Sequence, residues 1–374
     1  MKYACLNPIS EFGLQALPAG FEKTEDLNEA DAILVRSAVM HEMEFAPALK
    51  CVARAGAGVN NIPLDVLRDK GVVVFNTPGA NANAVKELTV LALLLTARDV
   101  PGGMAWVRDN KDDENLAKSM EKAKKKFAGH EVYGKTLGVI GLGAIGFIVA
   151  ETAVQLGMKV VGYDPFLPDA LRLKLPAAVT VVEDQKEVFR AADYITIHVP
   201  ENDATRGTFR KEAFAEMKDG VVLLNLARAG LVNEDDLEEA LKSGKVARYI
   251  TDVPDKRVAN MPNVIGFPHL GASTEEAEDN CAKMAAEELG DFLLNGNIRN
   301  SVNFPAVTLG AKEGARTLVL FKEGAETEKM KVLVPGFQKA EIKVKKGAGA
   351  ALFEGGEAAE GLKALDGVVR VLTF

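Results

Sequence analysis

Residues 136 to 164 constrain the fold more than any other stretch, because a complete dinucleotide-binding unit is written there in order. A short apolar strand, Leu137 to Ile140, runs into Gly141-Leu142-Gly143-Ala144-Ile145-Gly146. A helix-period segment follows to Gln155 and stops at Gly157, and a second strand, Lys159 to Tyr163, ends on Asp164. Gly141 permits the tight turn, Gly143 lets the backbone approach a pyrophosphate, and Gly146 lets the helix pack close to the strand, while the helix N-terminus offers unpaired N–H groups to the anion. An acid at the end of the second strand accepts hydrogen bonds from ribose hydroxyls and repels a 2′-phosphate, so Asp164 favours NAD over NADP. A lone G-x-G-x-x-G is weak; here the strand, helix, second strand and terminal acid all agree.

The chain of 374 residues is long enough for two or three domains, and 48% hydrophobic with 26% charged residues describes an ordinary globular protein with ample core. Its net charge of −8 argues against a nucleic-acid-binding face. The one basic cluster, Lys122, Lys124, Lys125 and Lys126, reads as a solvated helix end. Cys5, Cys51 and Cys281 are far apart, odd in number and without metal-ligand spacing, which fits buried thiols in a reducing cytosol. No signal peptide is apparent, and the apolar run Leu88 to Ala97 is too short to span a bilayer. It reads as a helix buried on most sides, at a domain or subunit interface. A cytoplasmic protein without a metal site, nucleic-acid partner or membrane partner is expected.

From residue 1 to about 98, apolar runs (Tyr3 to Leu6, Ala32 to Val35, Cys51 to Ala55, Val72 to Phe75) alternate with helical segments, one opened by Pro63 and stopped by Gly71. Such alternation implies a parallel sheet with helices on both faces. The same texture continues past Asp164, with strands at Tyr194 to Val199, Val221 to Leu226, Arg248 to Val253 and Val264 to Pro268. Asp164, His198, Ala227 with Arg228, Asp252 and His269 fall at or just past carboxyl ends of these strands, the edge where open α/β sheets bind ligands. Ser273 with Glu276 has the form of a capping box and starts a helix running to about Leu294, before Gly296. Beyond Pro305 glycine and lysine rise, and strand-like runs (Thr317 to Phe321, Lys331 to Val334, Glu341 to Val344) precede one helix, Glu357 to Leu365, and a final strand, Gly367 to Leu372. The expected domains are 1–98 with 273–305, 99–272, and a separate small α+β domain, 306–374.

Several segments together resemble the D-isomer-specific 2-hydroxyacid dehydrogenases, most closely the branch acting on D-3-phosphoglycerate: Arg54 to Ile62, Asn76 to Pro78, Gly134 to Gly143, Asn225 to Arg228, Thr251-Asp252, Pro268 to Thr274, and Asn300 to Pro305. The resemblance covers residues 1 to about 305. It implies two Rossmann-like, doubly wound parallel-sheet domains, a flavodoxin-like substrate domain and an NAD-binding domain, and a C-terminal domain similar to a shortened ACT domain. It implies NAD at Gly141, Gly143, Ala144, Ile145, Gly146, Asp164, Val199, Pro200, Ala227, Asp252 and Gly271, with Asp252 on the nicotinamide carboxamide.

Oxidising a 2-hydroxy acid requires a base for the hydroxyl proton and a cation for the carboxylate. The resemblance assigns these roles to His269 and Arg228, whose planar fork of donors suits a carboxylate. Of the four histidines, His269 alone sits in the family's motif. It further implies a substrate loop at Arg54, Ala55, Gly56 and Gly58, with Asn76 beside it and Arg54 on a phosphate. Lys50 and Arg36 are secondary phosphate candidates or surface salt bridges. The family's usual run after the Asp252 strand resembles D-V-F-x-x-E-P, whose glutamate pairs with the histidine. Here the run is Asp252-Val253-Pro254-Asp255 and carries no glutamate, so Asp255 is the nearest substitute. In the C-terminal segment, the nine residues Lys322 to Met330 between the first two strand-like runs lack an apolar stripe and leave no room for the first helix of an ACT domain, which argues against serine inhibition and for a dimerisation or structural role. The resemblance implies NAD-dependent oxidation of D-3-phosphoglycerate to 3-phosphooxypyruvate by a homodimer or homotetramer. A dehydrogenase for glycerate, hydroxypyruvate or lactate, or an NAD-sensing binding protein, are the alternatives.

Overall fold

Strands with no polar face must lie inside a sheet covered on both sides, and three strands of the first sheet, Ala32–Val35, Cys51–Arg54 and Val73–Phe75, are of this kind. The computed structural model describes residues 1–374. They form two compact units, residues 1–81 with 274–374, and residues 82–273. The first sheet comprises β1 (Lys2–Cys5), β2 (Glu22–Lys23), β3 (Ala32–Val35), β4 (Cys51–Arg54) and β5 (Val73–Phe75), all parallel, in the order β2-β1-β3-β4-β5. This is the flavodoxin-like order. Side chains alternate between two cores: Leu34, Ala53 and Phe75 face the helix Glu275–Asn295, and Ile33, Val52 and Val74 face Met40, Leu49 and Leu67. The two-residue β2, exposed and charged, carries no apolar pattern and is not legible in the sequence.

The open edge of β5 is closed by the run Asn300 to Pro305. Ser301 bridges Phe75, the Val302 N–H donates to Val74 O at 2.9 Å, and the Asn303 side chain accepts from Val74 N and donates to Val72 O at 2.9 and 2.8 Å. One asparagine amide thus supplies the donor and acceptor of a missing strand, which protects the edge from foreign pairing.

In the second unit, β6 (Thr136–Ile140), β7 (Lys159–Tyr163), β8 (Val179–Val182), β9 (Tyr194–Ile197), β10 (Val221–Asn225), β11 (Val246–Thr251) and β12 (Val264–Gly266) are all parallel. Their order, β12-β11-β10-β9-β6-β7-β8, is that of a Rossmann fold extended by one strand. The direction of winding reverses between β6 and β9. The helix Ala82–Ala97 belongs to this unit, packing on the helix Ala144–Gln155, so the expected boundary near residue 98 falls a helix too late. Its face is less covered than predicted, with Leu91 and Leu94 exposed. No single helix is long and apolar enough to cross a membrane.

The C-terminal segment forms an antiparallel sheet of β13 (Arg316–Phe321), β14 (Lys339–Lys345), β15 (Ala348–Glu354) and β16 (Val368–Thr373), in the order β14-β15-β13-β16. With the helix Thr327–Val332 and a 3-10 turn at Glu360–Leu362, the chain follows the βαββαβ path of a ferredoxin-like fold with both helices cut short. Lys331 to Val334, expected as a strand, is the end of that first helix, and Glu357 to Leu365 is mostly irregular. These residues do not stand apart as a free domain. One face of their sheet (Leu318, Leu320, Ala350, Leu352) joins the core of the first sheet and the helix Glu275–Asn295; the other (Val319, Phe321, Phe353) is covered by Met330, Val334 and Leu362.

The helix Glu275–Asn295 is the shared wall of both sheets in this unit. Thr274, rather than Ser273, caps it, accepting from Ala277 N at 3.1 Å, and Gly296 ends it in the left-handed conformation at φ +70°. Phe292 stacks edge-on against Phe75 and Phe374, with ring centroids 5.4 and 5.8 Å away. Arg316 and Glu354 pair fully out of solvent, and the remaining guanidinium N–H groups donate to the carbonyls of Asn295, Leu309, Gly310 and Ala311. Phe292→Ala, which removes the ring common to both sheets, is expected to cost about 3–5 kcal/mol in urea unfolding of the whole protein.

Candidate active site

The glycine turn after β6 is shaped by contacts that leave a cradle open. Gly141 adopts φ +89°, and its N–H donates to Tyr163 O at 2.8 Å. A Cβ at Gly146 would stand 1.8 Å from Gly141 O, so only glycine lets the helix Ala144–Gln155 start this close to the turn. A Cβ at Gly143 would meet nothing. Gly143 and Ala144 are exposed, Ile145 lies beside them, and no side chain caps the helix start, so the cradle and its amides are available to an anion.

Asp164 has a structural job that sequence reasoning missed. Its Oδ2 accepts from Leu142 N and its Oδ1 from Phe166 N, both at 2.9 Å, which ties the glycine turn to the end of β7 while leaving lone pairs for ribose hydroxyls. Val199 and Pro200 follow β9 on the other side of the crevice, where Val199 Cγ1 and His198 O leave no room for a Cβ at Gly141. His198 bonds Thr196 Oγ1 at 2.9 Å, and burial pushes its pKa down to about 4, so its ring is neutral near pH 7.

Further along the same edge, β10 ends at Asn225, a fully buried residue that organises the next turn. Its amide donates to Arg228 O at 2.9 Å and Tyr249 OH at 3.1 Å, and its carbonyl accepts from Ala227 N at 3.2 Å. Arg228 Nη1 in turn donates to Ala227 O at 2.7 Å. Asp252 follows β11, and His269 follows β12 and opens onto a cleft of about 640 Å³ lined also by Val253, Pro254 and Phe267. Asp252 Oδ2 accepts from Gly271 N at 3.2 Å, whereas Oδ1 is buried with no partner. An orphaned buried acceptor at this sheet edge is what an incoming amide donor would satisfy. Burial raises the Asp252 carboxyl above its ordinary range, against the pull of His269, of the Gly271 N–H and of Arg228. Asp252 and His269 share the cleft wall, and Arg228 follows β10, the strand beside β11, on the same sheet edge.

Asp255 is not in the group. After Pro254 the chain turns, Asp255 Oδ1 accepts from Val258 N at 2.7 Å, and the residue does not line the cleft. That bond ties it to the start of the 3-10 turn Val258–Asn260, away from His269, and makes it a poor stand-in for the family glutamate. Asp252 is the only carboxylate on the cleft wall with His269.

In the first unit, Arg54 ends β4 and its guanidinium folds back over Gly56, where a Cβ would stand 2.2 Å from Nη1. Arg54 Nε donates to Arg36 O at 3.2 Å. Ala55 N donates to Val35 O at 2.8 Å, Gly56 O accepts from Thr77 N at 3.1 Å, and Ala57 O accepts from the Asn76 side chain at 2.6 Å. The Ala57 and Gly58 amides donate to nothing in the chain, and so offer an anion-binding pair next to Arg54. Asn7, which no motif marks, accepts from the N–H groups of Arg36, Ser37 and Ala38 at 3.2, 3.0 and 2.9 Å and so fixes the loop on which Arg54 leans. Two weaker candidates fall away. Lys50 precedes β4, at the end opposite Arg54, and pairs with Asp31 at 2.9 Å; the Arg36 guanidinium pairs with Glu278 at 2.6 Å.

Comparison with known proteins agrees with the geometry. Residues 90–271 match the family described as D-isomer specific 2-hydroxyacid dehydrogenase, NAD binding domain. The D-3-phosphoglycerate dehydrogenase of Methanocaldococcus jannaschii is 37% identical over 311 residues, covering 80% of this chain and 57% of that protein. That of Bacillus subtilis is 38% identical over 293 residues, covering 76% and 53%, and that of Homo sapiens 33% over 355 residues, covering 89% and 64%. The chain thus spans little more than half the length of these relatives. Among solved structures, the NAD+-bound 3-phosphoglycerate dehydrogenase of Entamoeba histolytica superposes with a TM-score of 0.65 at 27% identity, over 81% of this chain and 98% of that one.

Two glycines separate nucleotide binding from folding. Gly143→Ala is expected to keep the parent melting temperature while weakening NADH binding at least about tenfold, because its methyl enters only the cradle. Gly146→Ala is expected to lower the melting temperature, because its methyl strikes Gly141 O. Fluorescence titration and thermal unfolding check the pair.

Proposed function

Because this chain belongs to the D-isomer-specific 2-hydroxyacid dehydrogenase family, we propose that it oxidises D-3-phosphoglycerate to 3-phosphooxypyruvate with NAD. The observation that carries the reading is the placement of Arg228, the half-satisfied Asp252 and His269 after the neighbouring strands β10, β11 and β12, on the sheet edge that also bears the glycine cradle.

The residues present fit the cofactor. The amides of Gly143, Ala144 and Ile145 would receive its pyrophosphate, Asp164 its ribose hydroxyls, Asp252 Oδ1 its carboxamide, and Val199, Pro200, Ala227 and Gly271 would line the remaining contact surface. Bound there, NAD would supply the acceptor for the hydride leaving C2 of the substrate. Arg228 would hold the substrate carboxylate through its fork of donors and stabilise negative charge on the C2 oxygen. The His269 imidazole, which makes no hydrogen bond inside the chain, would take the hydroxyl proton as the hydride departs and return it in the reverse direction. Arg54 with the Ala57 and Gly58 amides would bind the phosphate, which selects a phosphorylated acid over lactate or glycerate.

The second unit also carries an uncovered apolar surface. Val100, Met104 and Val107 on the helix Val100–Asp109 and Met120 on the helix Leu116–Ala123 are exposed around a groove floored by Gly103, Trp106 and Phe127, and Met104 is 69% exposed. A second copy of the chain is the occupant the family resemblance suggests, in keeping with the homo-oligomeric expectation. Met104→Glu is then expected to shift the protein toward a monomer in light scattering coupled to gel filtration; an unchanged mass would place the interface elsewhere.

The functional reading is tested by NADH consumption with 3-phosphooxypyruvate beside hydroxypyruvate, pyruvate and 2-oxoglutarate. Preference for the phosphorylated acid by about tenfold or more is expected, with His269→Ala lowering kcat at least about a hundredfold while still binding NADH. Preference for an unphosphorylated acid would reject the phosphoglycerate assignment, and NADH binding without any turnover would reject the enzyme.

A further inference from the structure

One buried acid has no part in the mechanism above. Glu288 lies on the inner face of the helix Glu275–Asn295 and is 7% exposed. Its Oε1 accepts a hydrogen bond from the Asn300 side chain, and its Oε2 is buried with no partner. The carbonyl of Asn300 accepts from Asn76 N at 3.3 Å, and the side chain of Asn76 donates to Ala57 O at 2.6 Å. A continuous set of bonds therefore runs from a carboxyl in the core to the turn that carries Arg54, Gly56 and Gly58.

We infer that Glu288 is a positioning residue for the Arg54–Gly58 loop, acting through Asn300 and Asn76. The inference rests on the reading of that loop as the substrate loop. Asn300 sits where the edge strap begins, so the residue whose side chain is held by Glu288 is also the one whose carbonyl meets Asn76. Asn76 in turn is the only side chain bonded to Ala57. The amides of Ala57 and Gly58 point to an anion only while Ala57 O stays fixed.

The state of Glu288 matters because its surroundings barely stabilise a charge. Burial pushes its carboxyl up to about 7. The charged groups that bear on it are Arg299, already paired with Asp291 at 2.8 Å, and Glu287, which opposes ionisation. A carboxyl raised in this way favours the fold fully below its unfolded-state pKa, and that contribution is lost as pH rises through 7. Above that point a carboxylate with one donor, the Asn300 amide, is left in the core with Oε2 unsatisfied, and any shift that brings it water carries Asn300 with it. Glutamine in its place keeps the acceptor for Asn300 and takes no charge.

Amide hydrogen exchange on the whole protein, free of substrate, tests this at pH 6.5 and 8.5 after correction for intrinsic rates, in the parent, Glu288→Gln and Asn300→Ala. Exchange over residues 54–59 is expected to rise about fivefold in Asn300→Ala at both pH values. In the parent it is expected to rise at pH 8.5 only, and in Glu288→Gln at neither. The KM for D-3-phosphoglycerate should follow the same order while the KM for NAD moves less than twofold. Identical exchange over 54–59 in the parent and Glu288→Gln at pH 8.5 would overturn the inference, as would a loosening in Asn300→Ala spread evenly over the unit. Failure of the parent to turn over any 2-hydroxy acid would count against the dehydrogenase reading alone, since the exchange result does not depend on activity.

Discussion

A parallel sheet sends the carboxyl end of every strand to one edge, and in the second unit everything chemical depends on that constraint. Between β6 and β9 the chain leaves in opposite directions, so no connection fills the crevice, and the glycine turn can sit there with its amides unspent. The turn would be loose by itself. It is held by Asp164 from β7, and glycine at 146 lets the helix pack against Gly141 O, where a Cβ would stand 1.8 Å away. Residues remote in sequence, Arg228, Asp252 and His269, reach one place because their strands are neighbours in one sheet, and Asn225, buried at the end of β10, sets the turn from which Arg228 projects.

The first unit solves a different problem. Its sheet ends on an apolar strand whose outer edge would pair with any extended chain, and the strap Asn300 to Pro305 closes that edge with one amide side chain and two backbone bonds. The strap is reached only because the helix Glu275–Asn295 returns the chain to this unit, and that helix also presents Phe292 to the C-terminal sheet. With both faces of the small sheet buried and Arg316 locked between Glu354 and four carbonyls, the C-terminal segment behaves as a clamp on the unit rather than as a module free to move. A regulatory role through a mobile effector domain is hard to reconcile with that packing.

Much of this was legible because it is carried by local patterns. Alternating apolar runs and helix caps place β1, β3 to β7 and β9 to β12 within a residue or two, and the order of glycines and acid marks the cradle. What escaped was set by tertiary contact. The strand Ala348–Glu354 opens as a weak run of glycine and alanine, yet it is fully buried because it lies between β14 and β13 with its residues divided between two cores, and the Phe321 ring covers Gly349, 2.0 Å from where its Cβ would be. Lys331 to Val334 has the apolar content of a strand but ends a helix, since Met330 and Val334 cover the sheet from one side. Asn7 and Asn303 work through side-chain bonds to distant backbone, which no spacing announces. Asn300 to Pro305 is a signature of the family in the sequence and an edge cover in the fold.

The missing glutamate leaves the electrostatics of the cleft to one group. Asp255 is consumed in capping Val258, so the carboxylate that bears on His269 is Asp252, the residue whose free oxygen also fits a carboxamide. Burial raises its carboxyl, which means the negative charge is present above that raised value and is lost on acidification earlier than for an ordinary aspartate. Loss of the charge would remove attraction from both Arg228 and His269 at once. No second carboxylate stands on the cleft wall beside His269, so the negative charge there is that of Asp252 alone, and the acid side of the pH range is where it is lost.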